Sequence, residues 1–594
     1  MKKIMNSKFA IILIIALSFI ACSKEFLEEV NPNQISTDSF WKTVDDLNAG
    51  QNAVYNAFKD GNIMRVSDEY NRTDLTYPGW GRPNTSNVYW LQTFNDASDA
   101  PNAKWQALYK GIFRANQVIE ACDKLMGTFA TEQEEDSALI ILAQAKFFRG
   151  LFYFYLYNGF NQGSVPILDF VPTSEANFYQ PVSAPEDVKN FYLTDLEFAK
   201  ENLPTEWTNP SDLGRVTVGA ATAVIGKSYL YEGDYATAKT YFKSVIDDFG
   251  YVLAPNIGSN FTTMDELNSE SILEINYSLT YNAELNPYAG EQTSSTNNFA
   301  FSPVGGWRSC YPSCWLIMEY KNETLDYSDP INTVTEEDGT ERFRDYSLRA
   351  SYSIALVDDR DLPYYGLTTA QATAFNNKET AYYRKYTNWD IAENEKDISQ
   401  AVPRSGVNVR VIRLADVLLM YAECLIEGGA NDSGVDEALD AINQVRRRSA
   451  VRLLGLTGTG QYPANDHDDI VYTAQSLMEH LMYVERPLEL AAEGNSIRGI
   501  DMRRWGITKQ RFEELSTREY FANDYPFITV DGKESTRWGS SLENYFDGAL
   551  DYKGNPAVVQ PDFKEFLQSS QNYIESEHAY WPIPNSEVVA NPNL

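Results

Sequence analysis

Residues 218–249 read VGAATAVIGKSYLYEGDYATAKTYFKSVIDDF, and this stretch decides the predicted fold. An alanine-rich helix is predicted over residues 218–231, and the apolar spacing that follows predicts a second helix over 235–249. Gly233-Asp234 interrupts the pattern between them. Two helices joined by a tight turn are typical of a tetratricopeptide unit, so the stretch predicts a scaffold of paired helices.

Small residues recur on one face of the first helix. Ala220, Ala223 and Gly226 are spaced at helical intervals, which would let a neighbouring helix approach closely. A large residue at position 223 is therefore expected to overpack this contact.

A second helical pair is predicted over residues 414–427 and 436–448, with Gly428-Gly429 between the two helices. The spacing between the two pairs is irregular, so the predicted fold class is mostly α: a tetratricopeptide-like scaffold of helical pairs with insertions. Further long helices are predicted over residues 39–58 (with Ser39 as the N-cap), 104–126 and 138–157.

The insertions are rich in Gly, Asn, Ser, Pro and Tyr and are predicted to form long loops with short strands. They cover residues 60–103, 280–312, 326–400 and 515–560. Loops of this length inside a compact fold commonly carry function.

The N-terminus has the composition of a secretory signal. Three lysines precede an apolar run over residues 11–20, which is too short to cross a ~30 Å hydrocarbon core. Ala21-Cys22 resembles a bacterial lipoprotein cleavage site, with Phe19 where leucine is usual. Residues 1–21 are therefore predicted to be removed and Cys22 to be lipidated, which would hold the chain on a bilayer. An ordinary secretory signal with a coincidental cysteine is the alternative.

Composition narrows the class of ligand. The chain has 594 residues, a formal net charge of −34 and 13% aromatic residues. A surface this acidic repels nucleic acid and anionic membranes but not neutral sugars. Exposed Trp and Tyr rings match the flat faces of sugars, and Asn, Asp and Arg match their hydroxyl edges, so this composition is compatible with glycan binding. No second apolar run is predicted to be long enough to span a bilayer.

The cysteines predict no disulfide framework. Cys122 and Cys424 fall in helical patterns and are predicted to be buried apolar fillers. Cys310 and Cys314 lie four residues apart, and a local disulfide and two free thiols stay open as alternatives for them.

Sequence motifs for catalysis are missing. The three histidines are scattered, and the chain contains no HExxH motif, zinc-ligand spacing, GxSxG turn or EF-hand loop. The 83 acidic residues leave a pair of glycosidase carboxylates open as an alternative, although no motif marks one. No metal site or cofactor is predicted.

Seven segments, taken in order along the chain, resemble the SusD/RagB family of outer-membrane nutrient-binding lipoproteins. They are AKFFRGLFY (145–153) followed by Val165-Pro166, GRVT (214–217), RLADVLLMYAE (413–423), NQVRRR (443–448), ERPLEL (485–490), EGNSIRGIDMRRW (493–505) and YWPIP (580–584) followed by Asn591-Pro592. Asp416 stands where the family usually has glutamate, and Pro487 where a basic residue is common. The resemblance extends from Cys22 to Leu594.

The charged residues of these segments are predicted to hold structure rather than to perform chemistry. Arg413, Asp416 and Glu423 have spacings of i,i+3 and i,i+7, which would allow pairing along one helix. An internal ion-pair network is predicted among Glu485, Arg486, Glu489, Glu493, Arg498 and Asp501.

The resemblance implies a lipid-anchored, non-enzymatic protein on the surface of the outer membrane. Its implied ligand is a glycan, which it would deliver to a SusC-like TonB-dependent transporter. Peptide capture of the RagB type and, less favoured, a cryptic glycoside hydrolase are the alternatives. After the signal segment 1–21, the resemblance also implies an N-terminal helical region over 22–280 and a C-terminal RagB/SusD-like region over 281–594.

Members of the family build their ligand site from loops on one face of the scaffold. The corresponding early loop here offers Arg72, Tyr77, Trp80, Asn84 and Trp90, with Arg82 and Tyr89 beside them. The later loop offers Tyr288, Trp307 and Tyr311, with Arg308 beside them.

Trp80 and Trp307 stand out among these residues because glycines accompany both. Gly79 and Gly81 flank Trp80, and Gly305-Gly306 precede Trp307, which predicts turns that lift each ring outward. Both rings are therefore predicted to stack on sugar. The alternative for each ring is that it plugs its loop onto the core.

Overall fold

The protein is described by a computed structural model. The structure describes residues 40–79, 81–279, 293–372, 375, 379–398 and 404–594. The predicted signal segment 1–21, Cys22, Trp80, Tyr288 and the predicted boundary at residue 280 lie outside these residues.

Long helices form the scaffold, and the fold is mostly α, as predicted. Listed in chain order, they are α1 (Val44–Phe58), α2 (Asp99–Leu125), α3 (Glu132–Gly159), α4 (Pro185–Asn202), α5 (Val218–Tyr231), α6 (Tyr235–Asp248), α7 (Leu414–Glu427) and α8 (Val435–Arg448). Shorter α-helical segments cover Gly61–Met64, Val66–Asn71, Asn297–Phe301, Cys314–Lys321, Leu348–Ser353, Glu395–Ile398, Ala474–His480, Arg486–Glu489, Ile497–Arg504, Thr508–Leu515, Leu567–Asn572, Glu575–His578 and Asn585–Ala590.

The two predicted helical pairs are confirmed to within one residue at each end. Helices α2 and α3 begin at Asp99 and Glu132, several residues before their predicted starts, because their first turns are polar and carry no apolar period. Helix α1 begins at Val44 with Thr43 as its N-cap, so the N-cap predicted at Ser39 is wrong. Helix α3 begins at Glu132, where Thr131 and Glu134 form a capping box.

The close contact predicted for the first pair is present. Ala220 and Ala223 are completely buried in α5. A Cβ atom placed on Gly226 would lie 2.7 Å from the ring of Phe242 on α6. A larger residue on this face of α5 would therefore collide with its neighbours.

Helix α3 is the core of the N-terminal half. By length and composition alone it could cross a membrane, so the prediction that no second run is long enough is wrong. However, 83% of its most apolar window is buried inside the protein. Helix α3 packs against α1, α2 and α4, and its apolar residues serve that packing.

The strands pair antiparallel in five two-stranded sheets within the described residues. The pairs are β1 (Thr76–Pro78) with β3 (Cys310–Pro312), β2 (Ser271–Ile275) with β8 (Val409–Arg413), β4 (Thr333–Thr335) with β5 (Glu341–Phe343), β6 (Ile354–Leu356) with β7 (Ala381–Tyr383), and β9 (Tyr520–Ile528) with β10 (Glu534–Asn544). Short strands were predicted in these insertions, but β9 and β10 form a long hairpin of 9 and 11 residues.

Each predicted filler cysteine, Cys122 and Cys424, is buried. Cys310 and Cys314 are also buried and free, so two thiols rather than a disulfide occupy these positions. The Cys314 thiol lies 3.3 Å from a carboxylate oxygen of Glu565, which places it in a polar contact rather than in a bridge.

A layer of buried charges joins β2, β8 and α7 to the segment 485–504. We call it the charged layer. Ten of its members are at most 6% exposed: Glu270, Arg349, Arg413, Asp416, Arg446, Glu485, Arg486, Glu489, Glu493 and Asp501. The eleventh is Arg448, whose side chain is 4% exposed.

Arg413 is the centre of the charged layer. Its Nη1 atom lies 2.7 Å from carboxylate oxygens of both Glu270 and Glu489, and its Nε lies 2.6 Å from Glu493. Asp416 contacts Lys227 at 2.8 Å and Arg486 at 3.1 Å. The six residues predicted to form a network are all in buried ion pairs, but within that set only Arg486 and Asp501 pair with each other, at 2.8 Å. Glu485, Glu489 and Glu493 pair with Arg349 and Arg413, and Arg498 lies outside the charged layer and pairs with Asp74 at 2.7 Å. The pairing predicted along the helix is wrong, because Arg413, Asp416 and Glu423 each find their partner on another element.

Candidate functional site

The two loops that the sequence singled out meet in a short antiparallel ladder. Strand β1 pairs with β3, and Tyr77 lies directly opposite Tyr311. Beyond the ladder, the Gly79 N–H donates a hydrogen bond to the Ser309 carbonyl at 3.0 Å. Segments more than 200 residues apart in the chain therefore come together at one place.

Gly79 is required for this approach. A Cβ atom at this position would lie 1.6 Å from the carbonyl oxygen of Arg308, a distance that no side chain can occupy. The residue before Trp80 thus lies against the residue after Trp307. The position of Trp80 itself is outside the described residues.

Several of the predicted ligand residues are turned into the core. Tyr77 is 1% and Trp90 is 4% exposed, and their rings meet edge to face with centroids 5.1 Å apart. The Tyr77 hydroxyl accepts a hydrogen bond from the Asn84 N–H, while the Asn84 side chain donates to the Gly79 carbonyl at 2.7 Å. These three residues brace the early loop and offer no free face to a ligand in this conformation.

The arginines of the early loop also have internal partners. Arg72 donates to the His578 carbonyl at 2.9 Å, and its guanidinium lies 3.7 Å from the ring centre of Trp581. Arg82 forms an ion pair with Glu565. The Tyr89 hydroxyl accepts a hydrogen bond from the Ala100 N–H at 2.9 Å. These contacts tie the loop to the C-terminal segment and to the start of α2.

Trp307 differs from these residues because 56% of it is exposed. One part of its ring packs against Phe299, with centroids 4.3 Å apart, and the backbone N–H of Trp307 donates to the Phe299 carbonyl at 2.7 Å. Gly305, two residues earlier, has φ +91°, a conformation that favours glycine. The turn therefore presents an indole that is held in place and still reaches solvent.

Polar groups lie beside this ring. The Arg308 side chain is 40% exposed and approaches Glu379 at 3.4 Å. The buried hydroxyl of Tyr311 donates to the same carboxylate at 3.1 Å. Partial burial would lower the pKa of Arg308, but Glu379 outweighs it and the net shift is upward. Arg308 is thus a permanent cation next to the indole. We call Phe299, Trp307, Arg308 and Glu379 the Trp307 surface.

A polar groove of about 520 Å³ lies between residues 60–68 of the early loop and residues 296–301 of the later loop. It is lined by Asp60, Gly61, Asn62, Arg65, Val66, Ser67, Asp68, Thr296, Asn297, Ala300 and Phe301. The short helix Asn297–Phe301 connects the two features, because it lines the groove and also carries Phe299.

The carboxylates of the groove are paired with cations. Asp60 lies 3.0 Å from Lys110, and Asp68 lies 2.7 Å from Arg65. Burial raises the pKa of Asp68, and Arg65 opposes this shift. Carboxylates, amides and a guanidinium in one groove can exchange hydrogen bonds with several hydroxyl groups at once.

Sequence reasoning did not find the groove residues. Asp60 also caps a short helix by accepting a hydrogen bond from the Asn62 N–H at 3.1 Å, and a cap is what its sequence context suggests. The available signal was the clustering of Asp60, Asn62 and Asp68 just after the first predicted helix, at the start of the early loop.

The comparisons with known proteins agree with this fold. The SusD family model matches residues 269–594, and a model described as "Starch-binding associating with outer membrane" matches residues 25–230. A SusD-like protein of Bacteroides ovatus is 24% identical, and the alignment covers 100% of this chain and 98% of that protein.

Two solved structures show the same likeness. A SusD-like carbohydrate binding protein from Bacteroides fragilis has a TM-score of 0.67 and 21% identity, with 94% of this chain and 100% of that chain covered. A structure with xylogluco-oligosaccharide has a TM-score of 0.64 and 21% identity, with 92% and 97% covered. Because one family model matches more than half of the sequence and the fold agrees along nearly all of it, this chain belongs to the SusD family.

Proposed function

We propose that this chain is a cell-surface lipoprotein that binds an oligosaccharide and passes it to a SusC-like TonB-dependent transporter. The observation that carries the proposal is Trp307, an exposed indole held beside Arg308 and Glu379 where two long loops meet. An indole face matches the flat face of a sugar ring, and the charged pair matches its hydroxyl groups.

The polar groove extends the proposed binding surface. It lies across the short helix Asn297–Phe301 from Phe299 and the Trp307 ring, and a helix is about 10–12 Å wide with its side chains. An oligosaccharide, but not a single sugar, would contact both features. We propose Trp80 as a second stacking ring, since its neighbour Gly79 lies against Arg308.

The relatives support a glycan rather than another ligand. One is described as carbohydrate binding, and another was solved with xylogluco-oligosaccharide. The formal net charge of −34 would repel polyanions but leaves neutral glycans free to approach. The family description places such proteins at the outer membrane, which supports lipidation of Cys22 and a surface location.

One observation favours peptide capture as a second candidate. An apolar cleft of about 380 Å³ lies between α2 and the segment 166–178, where Phe170 and Phe178 are exposed. Apolar peptide side chains would suit this cleft better than a sugar would.

The decisive experiment is a glycan array with the protein lacking residues 1–22, followed by titration calorimetry with the glycans that bind. Trp307→Ala should weaken binding, and Phe178→Ala is the matched control because Phe178 is 53% exposed but lies in the apolar cleft. If Phe178→Ala alone weakens binding, or only peptides bind, the glycan assignment is wrong.

Anchoring and delivery need separate tests. Cys22→Ala should release the protein from the membrane fraction, and a variant that still sediments with outer membrane at high salt would contradict lipidation. The anchored protein should co-purify with a TonB-dependent barrel in mild detergent. Purification of the anchored protein without any barrel would contradict delivery to a transporter.

A further inference from the structure

A small cavity of about 40 Å³ lies between α2, α3 and the C-terminal segment, and it shares no lining residue with the polar groove. Its charged lining consists of Lys104, Arg72 and Arg503, with Glu69 as the one carboxylate. Although burial would raise the pKa of Glu69, Lys104 and Arg72 lower it to about 2, so Glu69 stays ionised. Three cations therefore face one anion, in a chain whose net charge is −34.

Arg503 is the cation without an acidic partner. Its Nη1 donates to the Ala579 carbonyl at 3.2 Å, and its guanidinium lies 3.8 Å from the ring centre of Tyr580. In the part of the chain that the structure describes, no carboxylate lies within ion-pair distance of it. Its neighbour Arg504, by contrast, is paired with both Glu423 and Asp501.

The lining of the same cavity also includes a guanidinium with an unused hydrogen-bond donor. Arg72 Nε is buried and has no hydrogen-bond partner. Asn495 contributes less to this surplus, because its Oδ1 accepts a hydrogen bond from the Lys104 ammonium at 2.8 Å and its NH₂ group faces the Tyr155 hydroxyl. Buried donors without acceptors are costly, and in a cationic cavity the group that satisfies them best is an anion.

An outer cavity connects this site to solvent. It has a volume of about 570 Å³, within the range of small-molecule sites, and its lining includes Tyr157, Gln162 and Tyr580. Two carboxylates also line it, Glu575 and Glu232, and Glu232 accepts a hydrogen bond from the Tyr157 hydroxyl at 2.8 Å and lies 3.8 Å from Lys189. The two cavities share Asn158, Ile500, Arg503 and Ala579, so Arg503 stands at their junction. The inner cavity has room for a small charged group or about three waters, at 10–15 Å³ each, but not for a sugar ring.

We infer that these two cavities form a second saccharide site, specific for a sugar that carries a carboxylate. The ring would occupy the outer cavity beside Tyr580, and its carboxylate would point to Arg503 and the inner donors. A planar carboxylate fits the fork of a guanidinium with two parallel hydrogen bonds. The saccharide part of the inference rests on the proposed glycan function, whereas the anion part rests on the cavity alone.

The test compares methyl glucuronide with methyl glucoside, two sugars that differ in this one group, by calorimetry on the mature chain. The glucuronide should bind at least about tenfold more tightly, as expected for one charge-assisted bidentate contact. Arg503→Gln should abolish the preference, and Arg503→Lys should retain part of it. Acetate and sulfate, titrated alone, show whether the anion binds without a sugar.

A variant that is expected to bind more tightly keeps the test informative even if the Arg503 variants misfold. Glu575 is exposed at the rim of the outer cavity, and Glu575→Gln removes a like charge, so it should raise glucuronide affinity severalfold. Equal binding of the two sugars, no effect of Arg503→Gln at an unchanged melting temperature, or no gain with Glu575→Gln would overturn the inference. Trp307→Ala should leave the glucuronide preference intact, so failure of the main site and failure of this one are distinguishable.

Discussion

The charged layer and the Trp307 surface are built from similar residues but differ in where their partners are. In the charged layer, Arg413 contacts three carboxylates and is 1% exposed. At the Trp307 surface, Arg308 has a single carboxylate at 3.4 Å and 40% of its side chain is exposed. Charges that satisfy one another inside the protein specify packing, whereas charges that keep some exposure can bind a ligand.

The largest expected effect comes from breaking the charged layer. Arg413→Met should lower the free energy of unfolding by about 3–5 kcal/mol, because it leaves Glu270, Glu489 and Glu493 buried with too little positive charge. Chemical denaturation measures this change. The matched control is Arg360→Ala, which removes an exposed ion pair with Asp345 and should cost no more than about 1 kcal/mol. Equal losses in the two variants would mean that burial does not distinguish the two classes of charge.

The charged layer should also make stability depend on pH. Burial would raise the pKa of Glu270, but Arg448 and Arg413 lower it to about 2, below the ordinary value of 4.5. A folded-state pKa below the unfolded one contributes stability above pH 4.5 that is lost as the pH falls towards 2. The difference in unfolding free energy between wild type and Glu270→Gln should therefore shrink over that interval. A difference that stays constant between pH 5 and 2.5 would contradict this interpretation.

The helical pair α5–α6 provides the apolar counterpart of the charged layer. Ala223→Leu should destabilise the protein by about 1–3 kcal/mol, because the added atoms have no space at this completely buried position. Ala236→Leu on α6 makes the same change at an exposed position and serves as the control. The melting temperature is the readout, and an unchanged value for Ala223→Leu would argue against the close helical contact.

The Trp307 surface should show the smallest effect on stability and the clearest effect on binding. Trp307→Ala should weaken glycan binding about tenfold or more, since stacking on an aromatic ring contributes on the order of 1–3 kcal/mol by analogy with nucleic-acid bases. Its unfolding free energy should change by no more than about 0.5 kcal/mol. A variant that melts many degrees lower would show that the ring belongs to the core.

The sequence was sufficient for the scaffold because helical pairs have a local signal. The period of apolar residues and the glycines between helices placed α5 and α7 at their observed bounds. Local spacing also suggested that Arg413 and Asp416 pair with each other, and this failed because ion pairs form across elements. The partners of Arg413 come from residues 270, 489 and 493, which no local pattern connects.

The same limit applies to the candidate site. Tyr77 and Trp90 look like exposed loop aromatics in the sequence, but Tyr77 packs beneath Arg82, and Trp90 packs against Phe566, more than 400 residues away. The glycines beside the two tryptophans correctly indicated constrained backbone, since Gly79 lies against Arg308 and Gly305 has a positive φ. The ligand role of Trp80, Trp307 and Tyr288 stays a prediction.

The pairing of β1 with β3 has a consequence for how such a protein could diversify. The ladder fixes where the two loops start relative to each other, and inserting or deleting one residue within it would turn Tyr77 and Tyr311 to the opposite face. Beyond the ladder, the close approach of the two backbones requires glycine at position 79, but it does not depend on the side chains of residues 307 and 308. Mutation could therefore exchange Trp307, Arg308 and their neighbours for other side chains, and so change the sugar that is recognised, while the helical scaffold and its buried charges are inherited unchanged.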